Sequence, residues 1–335
     1  MSHISIIIPV KNEQDKLLRC IRSIQSGCSH YIYFIIVDDQ STDLTLSIAN
    51  QALSSGLFEG KVLLNEGSSG VGAGACRNLG IEHLLDNTEY VLFYDADDVM
   101  PEGVLSRWIT QTEQDQADVS IAQYDYYISN TVSIGMNKSD LSIWQDLSPS
   151  LIKPCSYEQR SQLLSLINYP WNKLLRYQFI KRIGLRFSTT PVHNDIYAHW
   201  VILLNAESIS LFPESVCHHF VIAGTQQITN VFDEKRLALI VVLDEVQAYF
   251  YAYQASFQFY YPTFLSFKKA VLSWAYQRIR ADIKPHFAQL IQESYQDITS
   301  KIVLETSMRD PSAALQSGQL KLGMDYETLD HSNHV

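Results

Sequence analysis

A chain of 335 residues can bury a sizeable core as one extended domain or two, and 46% hydrophobic with 18% charged residues is the composition of a folded protein. A net charge of −11 excludes nucleic acid as the main partner, because a phosphate backbone is met by a basic footprint. Cys20, Cys28, Cys76, Cys155 and Cys217 are odd in number and contain no C-x-x-C pair, which argues against a disulfide framework or zinc knuckle and for a reducing, cytoplasmic setting.

The chain enters the strand-like "ISIIIPV" (4–10) without the basic start and cleavage site of a signal peptide, and no apolar run approaches the ~20 residues of a membrane span. Leu17, Leu18, Ile21 and Ile24 follow at the spacing of a helix face. Next come a strand at 31–37, a helix around 44–55, a short strand at 61–64, a helix near 75–85 and the strand "YVLFY" (90–94). Strands that are apolar throughout, alternating with helices, predict an α/β fold: a mostly parallel sheet sandwiched by helices. Ligands of such sheets bind beyond the carboxyl ends of the strands, which here carry Pro9 to Glu13, Asp38 to Thr42 and Asp95 to Asp98.

Asp95, Asp97 and Asp98 fall within four positions and repel one another, so they need full solvation, nearby cations or a bound metal ion. A solvated turn satisfies the pattern as well. The stretch "GVGAGA" (70–75) fits G-x-G-x-x-A, but a dinucleotide fingerprint turns directly from the first strand into the first helix, and this one follows a later strand and a polar spacer. These glycines instead suit a loop that bends closely over a ligand.

"ISIIIPVKNE", "FIIVDDQSTD", "NEGSSGVGAGACRNLGI" and "YVLFYDADDVMPEGVL", in that order and spacing, resemble the nucleotide-sugar domain of family 2 glycosyltransferases with the GT-A fold. The resemblance covers the first ~120 residues strongly and fades by about residue 230. It implies a nucleotide-sugar donor, with UDP favoured because Asp39 would accept the uracil imide N–H while Pro9 and Val10 shape the base pocket. It also brings Asn12, Glu13 and Ala96 into the donor site and puts Arg77 and Asn78 near ribose and diphosphate. Asp95-Ala96-Asp97 matches the D-x-D signature, so Asp97, and Asp95 directly or through water, would hold Mg²⁺ or Mn²⁺ against the diphosphate. Asp38 and Asp39 as a helix-capping turn, and Arg77 as a surface residue, are the plainer uses of the same residues.

The resemblance further implies a carboxylate base, the Asp of an E-D pair following a W-x-K-L segment. Here the segment is Trp171-Asn172-Lys173-Leu174 and the pair reads Asn194-Asp195. Asp195 keeps the carboxylate; the Glu is replaced by Asn194. Asp195 also suits a plain helix N-cap. His218 and His219 sit next to each other in "SVCHHFVI", where strand alternation allows at most one to face the site as a further metal ligand or phosphate contact. A structural role for these histidines, and for His193, is the simpler expectation. Trp171 would pack the acceptor side.

The organisation expected is a transferase domain at 1–230, with a nucleotide-sugar half (1–125) and an acceptor half (126–230), then a helical region at 231–310 and a loose polar tail at 311–335. Helices are read at 233–256, 262–282 and 285–306. The aromatic stretch 250–280 suits packing, including a homo-oligomer interface. The alternative is peripheral contact with the inner face of the plasma membrane, with Lys268, Lys269, Arg278 and Arg280 meeting anionic lipid. The function expected is a metal-dependent, inverting transfer of a sugar to a saccharide or lipid-linked saccharide in cell-surface polysaccharide synthesis. The other reading is a catalytically lapsed sugar-nucleotide-binding or partner-binding protein, motivated by Asn194.

Overall fold

The computed structural model describes residues 2–67, 71–129, 132–147, 151–152, 155–221 and 232–326. Gly70 of the glycine-rich stretch and the last residues of the expected tail lie outside the described residues. The chain divides into two compact units, 1–225 and 226–335.

The first unit begins with β1 (His3–Val10), α1 (Leu17–Gln25), β2 (Tyr31–Asp38), α2 (Thr45–Ser54), β3 (Gly60–Leu64), α3 (Ala73–Glu82), β4 (Tyr90–Phe93) and α4 (Val104–Asp115). It continues with β5 (Val119–Ser129), β6 (Val132–Gly135), α5 (Lys138–Asp146), β7 (Leu151–Ile152), α6 (Tyr157–Leu164), β8 (Lys173–Arg176), α7 (Tyr177–Ile183), α8 (Ile196–Asn205) and β9 (Ile209–Phe220). The strands form one sheet in the order β3-β2-β1-β4-β8-β5-β9-β7, with β6 paired to β5. β1 to β4 are mutually parallel, β9 is parallel to β5, and β8 runs against both of its neighbours, β4 and β5.

Period-two alternation divides the strands between two buried faces. Ile4, Ile6, Ile8 and Val10 of β1, Phe34 and Ile36 of β2, and Leu92 of β4 share one core with Leu17, Cys20, Ile21 and Ile24 of α1 and Leu105 and Trp108 of α4. On the opposite face, Gly80 lets α3 approach so closely that a Cβ there would stand 2.5 Å from Ile7 Cγ2. Both faces being covered is why these strands read as continuous apolar runs.

In the second unit, α9 (Ala238–Ala252), α10 (Gln254–Phe257), α11 (Tyr261–Arg278), α12 (Lys284–Glu293), α13 (Ser300–Ser307) and α14 (Pro311–Lys321) replace the three long helices expected. Local signals make the breaks: proline opens α11, α12 and α14, and the Thr299 hydroxyl caps α13. The expected loose tail is corrected by α14, whose N-cap Asp310 accepts from the Ala313 N–H at 2.9 Å and whose Ala313, Ala314 and Leu320 are buried. The aromatic stretch is partly consumed inside this unit, where Phe250 packs on Tyr261 and Phe264. Lys268 is buried, donating to Ser294 O at 2.6 Å, so it does not belong to a lipid-facing set with Lys269, Arg278 and Arg280. Among the described residues no helix is long and apolar enough to cross a membrane.

Candidate active site

The ends of β1, β2 and β4 come together as the parallel sheet requires. Val10 pairs with Asp38 across β1 and β2, and its carbonyl accepts from the Asp39 N–H at 2.8 Å. The side chain of Val10 lies in the core, as does the Ala96 methyl, so only their backbone could meet a ligand, while the Pro9 side chain is partly exposed. Asn12 holds the loop that follows β2: its Oδ1 accepts from the Thr42 N–H at 2.8 Å, and its own N–H donates to Ser41 Oγ at 2.9 Å. Glu13 N–H donates to Thr45 Oγ1 at 2.8 Å, while burial, with Asp97 nearby, pushes its carboxyl above the usual range against the opposing effect of Lys16.

Asp39 is buried, which by itself would raise its pKa, yet four donated hydrogen bonds hold it below the usual range. Gly72 N–H reaches both oxygens at 3.0 Å, Asn65 Nδ2 donates at 2.9 Å, and Lys11 Nζ at 3.1 Å. The carboxylate therefore anchors the turn into α3, and a base edge would meet it by displacing the half-exposed Lys11. Asn65 was not anticipated as part of the site, although the Asn-Glu-Gly that follows β3 was an available signal, whereas Gly72 belongs to the glycine stretch expected to bend over a ligand.

The three acidic residues after β4 have separate environments. Asp95 and Asp97 are partly exposed, whereas Asp98 is fully buried. Burial raises the Asp98 carboxyl, and the His219 ring opposes this from 2.9 Å. His219 is thereby committed to Asp98 and packs beside Tyr169 and Trp171; His218 turns the other way, against Tyr127. Trp171 is fully buried and stacks on Tyr169, which confirms packing and leaves no face for a sugar. Among the described residues, no group of three or more His, Cys, Asp or Glu side chains is arranged to hold a metal ion by itself.

Arg77 joins the donor edge to the segment holding Asp195. It is 4% exposed, donates from Nη2 to Asp95 Oδ1 at 2.7 Å and from Nη1 to Asn194 Oδ1 at 2.8 Å, and lies over the Phe187 ring. Asn194 thus offers Arg77 a carbonyl oxygen where the family's Glu would offer a carboxylate. Asn78 is differently placed from the expectation: its amide clasps the backbone of Phe187 in both directions, at 2.9 and 2.7 Å, and so holds the chain that leads to Asp195. Gly74 completes this contact, because a Cβ there would stand 1.9 Å from Ser188 O and 2.9 Å from Asn194 Cβ.

Asp195 occupies the N-cap position of α8 but its side chain makes no capping bond, so the plain N-cap role fails. Burial raises its pKa, opposed first by Arg77 and also by a hydrogen bond with Asn168. Lys173, at the start of β8, is buried and donates to Tyr169 O at 2.8 Å and Asn172 Oδ1 at 2.7 Å. A small cavity of about 10 Å³ is lined by Asn168, Lys173, Asp195 and His199 together with apolar side chains.

The α/β sheet edge thus carries a partly exposed Asp-x-Asp whose Asp95 is joined through Arg77 to Asn194, the neighbour of Asp195. The sequence matches the family model Glycosyl transferase family 2 over residues 5–184, and the chain belongs to that family. It is 34% identical over 122 residues to the poly(ribitol-phosphate) beta-glucosyltransferase of Bacillus spizizenii, covering 36% of this chain and 19% of that one. Glycosyltransferase GlyA of Streptococcus pneumoniae is 23% identical over 240 residues, 71% of this chain and 33% of that one. TarP of Staphylococcus aureus, a poly(ribitol-phosphate) beta-N-acetylglucosaminyltransferase, is 33% identical over 129 residues, 37% of each chain. The matches thus span about a fifth to two fifths of these relatives' own length. The crystal structure of S. aureus TarS 1–349 in complex with UDP-GlcNAc superposes with a TM-score of 0.72 at 16% identity, covering 100% of this chain and 92% of that one. This likeness concerns the fold, which is the GT-A arrangement with a helical C-terminal region.

Proposed function

We propose that the protein is a metal-dependent, inverting glycosyltransferase that moves a sugar from a UDP-sugar to a saccharide or lipid-linked acceptor of the cell surface. The observation that carries this reading is the Arg77 bridge, which ties the acidic donor edge at Asp95 to the turn bearing Asp195. The names of relatives acting on poly(ribitol-phosphate), and of a structural neighbour bound to UDP-GlcNAc, support the donor class and widen the acceptor class to polyol-phosphate chains.

Asp95 and Asp97 offer hard oxygens at partly exposed positions and would be the residues that hold Mg²⁺ or Mn²⁺. Such an ion supplies positive charge where negative charge develops on the departing diphosphate. On the protein's side, Asp39 and Asn12 shape the nucleotide end and Arg77 keeps Asp95 oriented. Asp195 takes the proton of the acceptor hydroxyl as its oxygen bonds the anomeric carbon and the bond from that carbon to UDP breaks. A pKa raised by burial makes Asp195 a stronger base than a solvated aspartate, while Arg77 opposes its protonation. The engagement of Arg77 by Asn194, together with the retained carboxylate of Asp195, speaks against the lapsed reading. Incubation with a panel of sugar nucleotides and Mn²⁺ should release UDP from one donor, faster with acceptor. No release from any donor by a protein that binds UDP would return the lapsed reading to first place.

A further inference from the structure

The chemistry above leaves one buried charge beside Asp195 without a task. Lys173 is 2% exposed, and an ammonium taken out of water is retained only where anions and acceptors surround it. Two of its three donors are fixed by Tyr169 O and Asn172 Oδ1. His199, one turn along α8 from Asp195, lines the same cavity. Its Nε2 faces Leu164 O at 3.2 Å; that bond requires the proton on Nε2, so the buried Nδ1, which has no partner, is an acceptor. The cavity therefore gathers a carboxylate, a neutral imidazole acceptor and one ammonium with a donor to spare.

We propose that Lys173 is a positioning residue for Asp195: from the shared cavity its ammonium holds the carboxylate ionised, so that it is ready for the acceptor's proton. This rests on the reading of Asp195 as the base. Burial lowers the Lys173 pKa to about 7, with Asp195 the larger and Asp140 the smaller anion holding it up. Arg77 is the cation acting most strongly on Asp195, and Lys173 lines the same cavity as Asp195, its own charge held up first by that carboxylate. The charged and titratable groups around Asp195 are Arg77 on α3, Asp95 after β4, Tyr169 in the segment before β8, Lys173 at its start, and His199 on α8; Asp140 of α5 faces Lys173. The sign follows directly. Below about pH 7 the ammonium is present and opposes protonation of Asp195, which is the range in which a buried carboxylate would otherwise lose its basicity.

The test is the pH dependence of turnover in Lys173→Met, alongside UDP affinity. Removing the cation should move the acidic limb of the profile up by about one pH unit, the size of effect an adjacent opposite charge exerts, with the alkaline plateau within a few-fold of wild type and UDP binding unchanged. A lowered plateau with an unmoved limb would mean that Lys173 only fills space. Should Lys173→Met fail to fold, nitrogen-15 NMR of lysine side chains in wild type and Asp195→Asn decides. Coupling is reciprocal, so Lys173 should titrate about one unit lower without the carboxylate, and an unchanged titration would overturn the proposal. If Asp195→Asn turns over at the wild-type rate, the base assignment falls, while the NMR coupling stands or falls by itself.

Discussion

The edge around Asp39 and the segment around Asp195, proposed as the donor and acceptor edges, handle charge in opposite ways. Around Asp39, hydrogen bonds from Gly72, Asn65 and Lys11 overcome burial and hold a carboxylate below its ordinary pKa. In the segment from Asn168 to His199, burial dominates: Asp195 is pushed up, Lys173 down to about 7, and His199 well below its usual value. A charge fixed by many donors suits binding a ligand, whereas a carboxylate that burial makes more basic suits taking a proton. Asp98 beside His219 shows the same burial within the acidic cluster itself, and three clustered carboxylates coexist because Asp95 and Asp97 keep contact with solvent, Asp95 is also paired with Arg77, and Asp98 is paired with His219.

The largest expected effect tests the open pair. Asp97→Ala, or excess chelator on the wild type, should reduce UDP release from the donor by ~1000-fold, several kcal/mol of transition-state stabilisation. Unchanged turnover in chelator would show Asp95 and Asp97 to be a solvated turn. Asp195→Asn tests the other edge: it keeps size and helix position, so transfer should drop by ~100-fold with UDP affinity near wild type. A parallel loss of UDP binding in calorimetry would erase the distinction between the edges. Asp39→Ala should act on affinity alone, weakening UDP by ~10-fold, about 1.4 kcal/mol, and narrowing its preference over GDP. Equal binding of UDP and GDP by the wild type would remove Asp39 from base recognition and leave it as the anchor of the Gly72 turn.

The donor edge was legible because it is built from contiguous stretches. Strands expected at 4–10, 31–37, 61–64 and 90–94 correspond to β1 to β4 within about a residue at each end. Periodicity placed Leu17, Leu18, Ile21 and Ile24 against the core, with Leu18 at its margin, but left out Cys20, which is turned fully into it. The acceptor edge was legible only in fragments, since its contacts join residues far apart in the chain: Arg77 to Asn194, Asn78 to Phe187, Asp98 to His219. No local pattern announces that His199 shares a cavity with Lys173. The helices after residue 232 were visible as apolar periodicity, but their breaks depended on proline and cap residues, and α14 was hidden because its packed face is mostly Ala, Gln and Ser, with Leu320 its one large apolar residue.

The reversed direction of β8 has a consequence for how this site can be varied. Leu174 pairs with Leu92 and Arg176 with Tyr90, so β8 presents its beginning at the edge where β4 presents its end. A parallel strand in that slot would have delivered a following loop to the ligand and sent Lys173 to the far side of the sheet. Here the chain arriving at the strand, residues 168–172, reaches the ligand edge instead, and the turn after Arg176 leads away from it. Insertions after β8 should therefore leave catalysis untouched, whereas lengthening the segment before it would shift Asn168, Tyr169 and the lysine together.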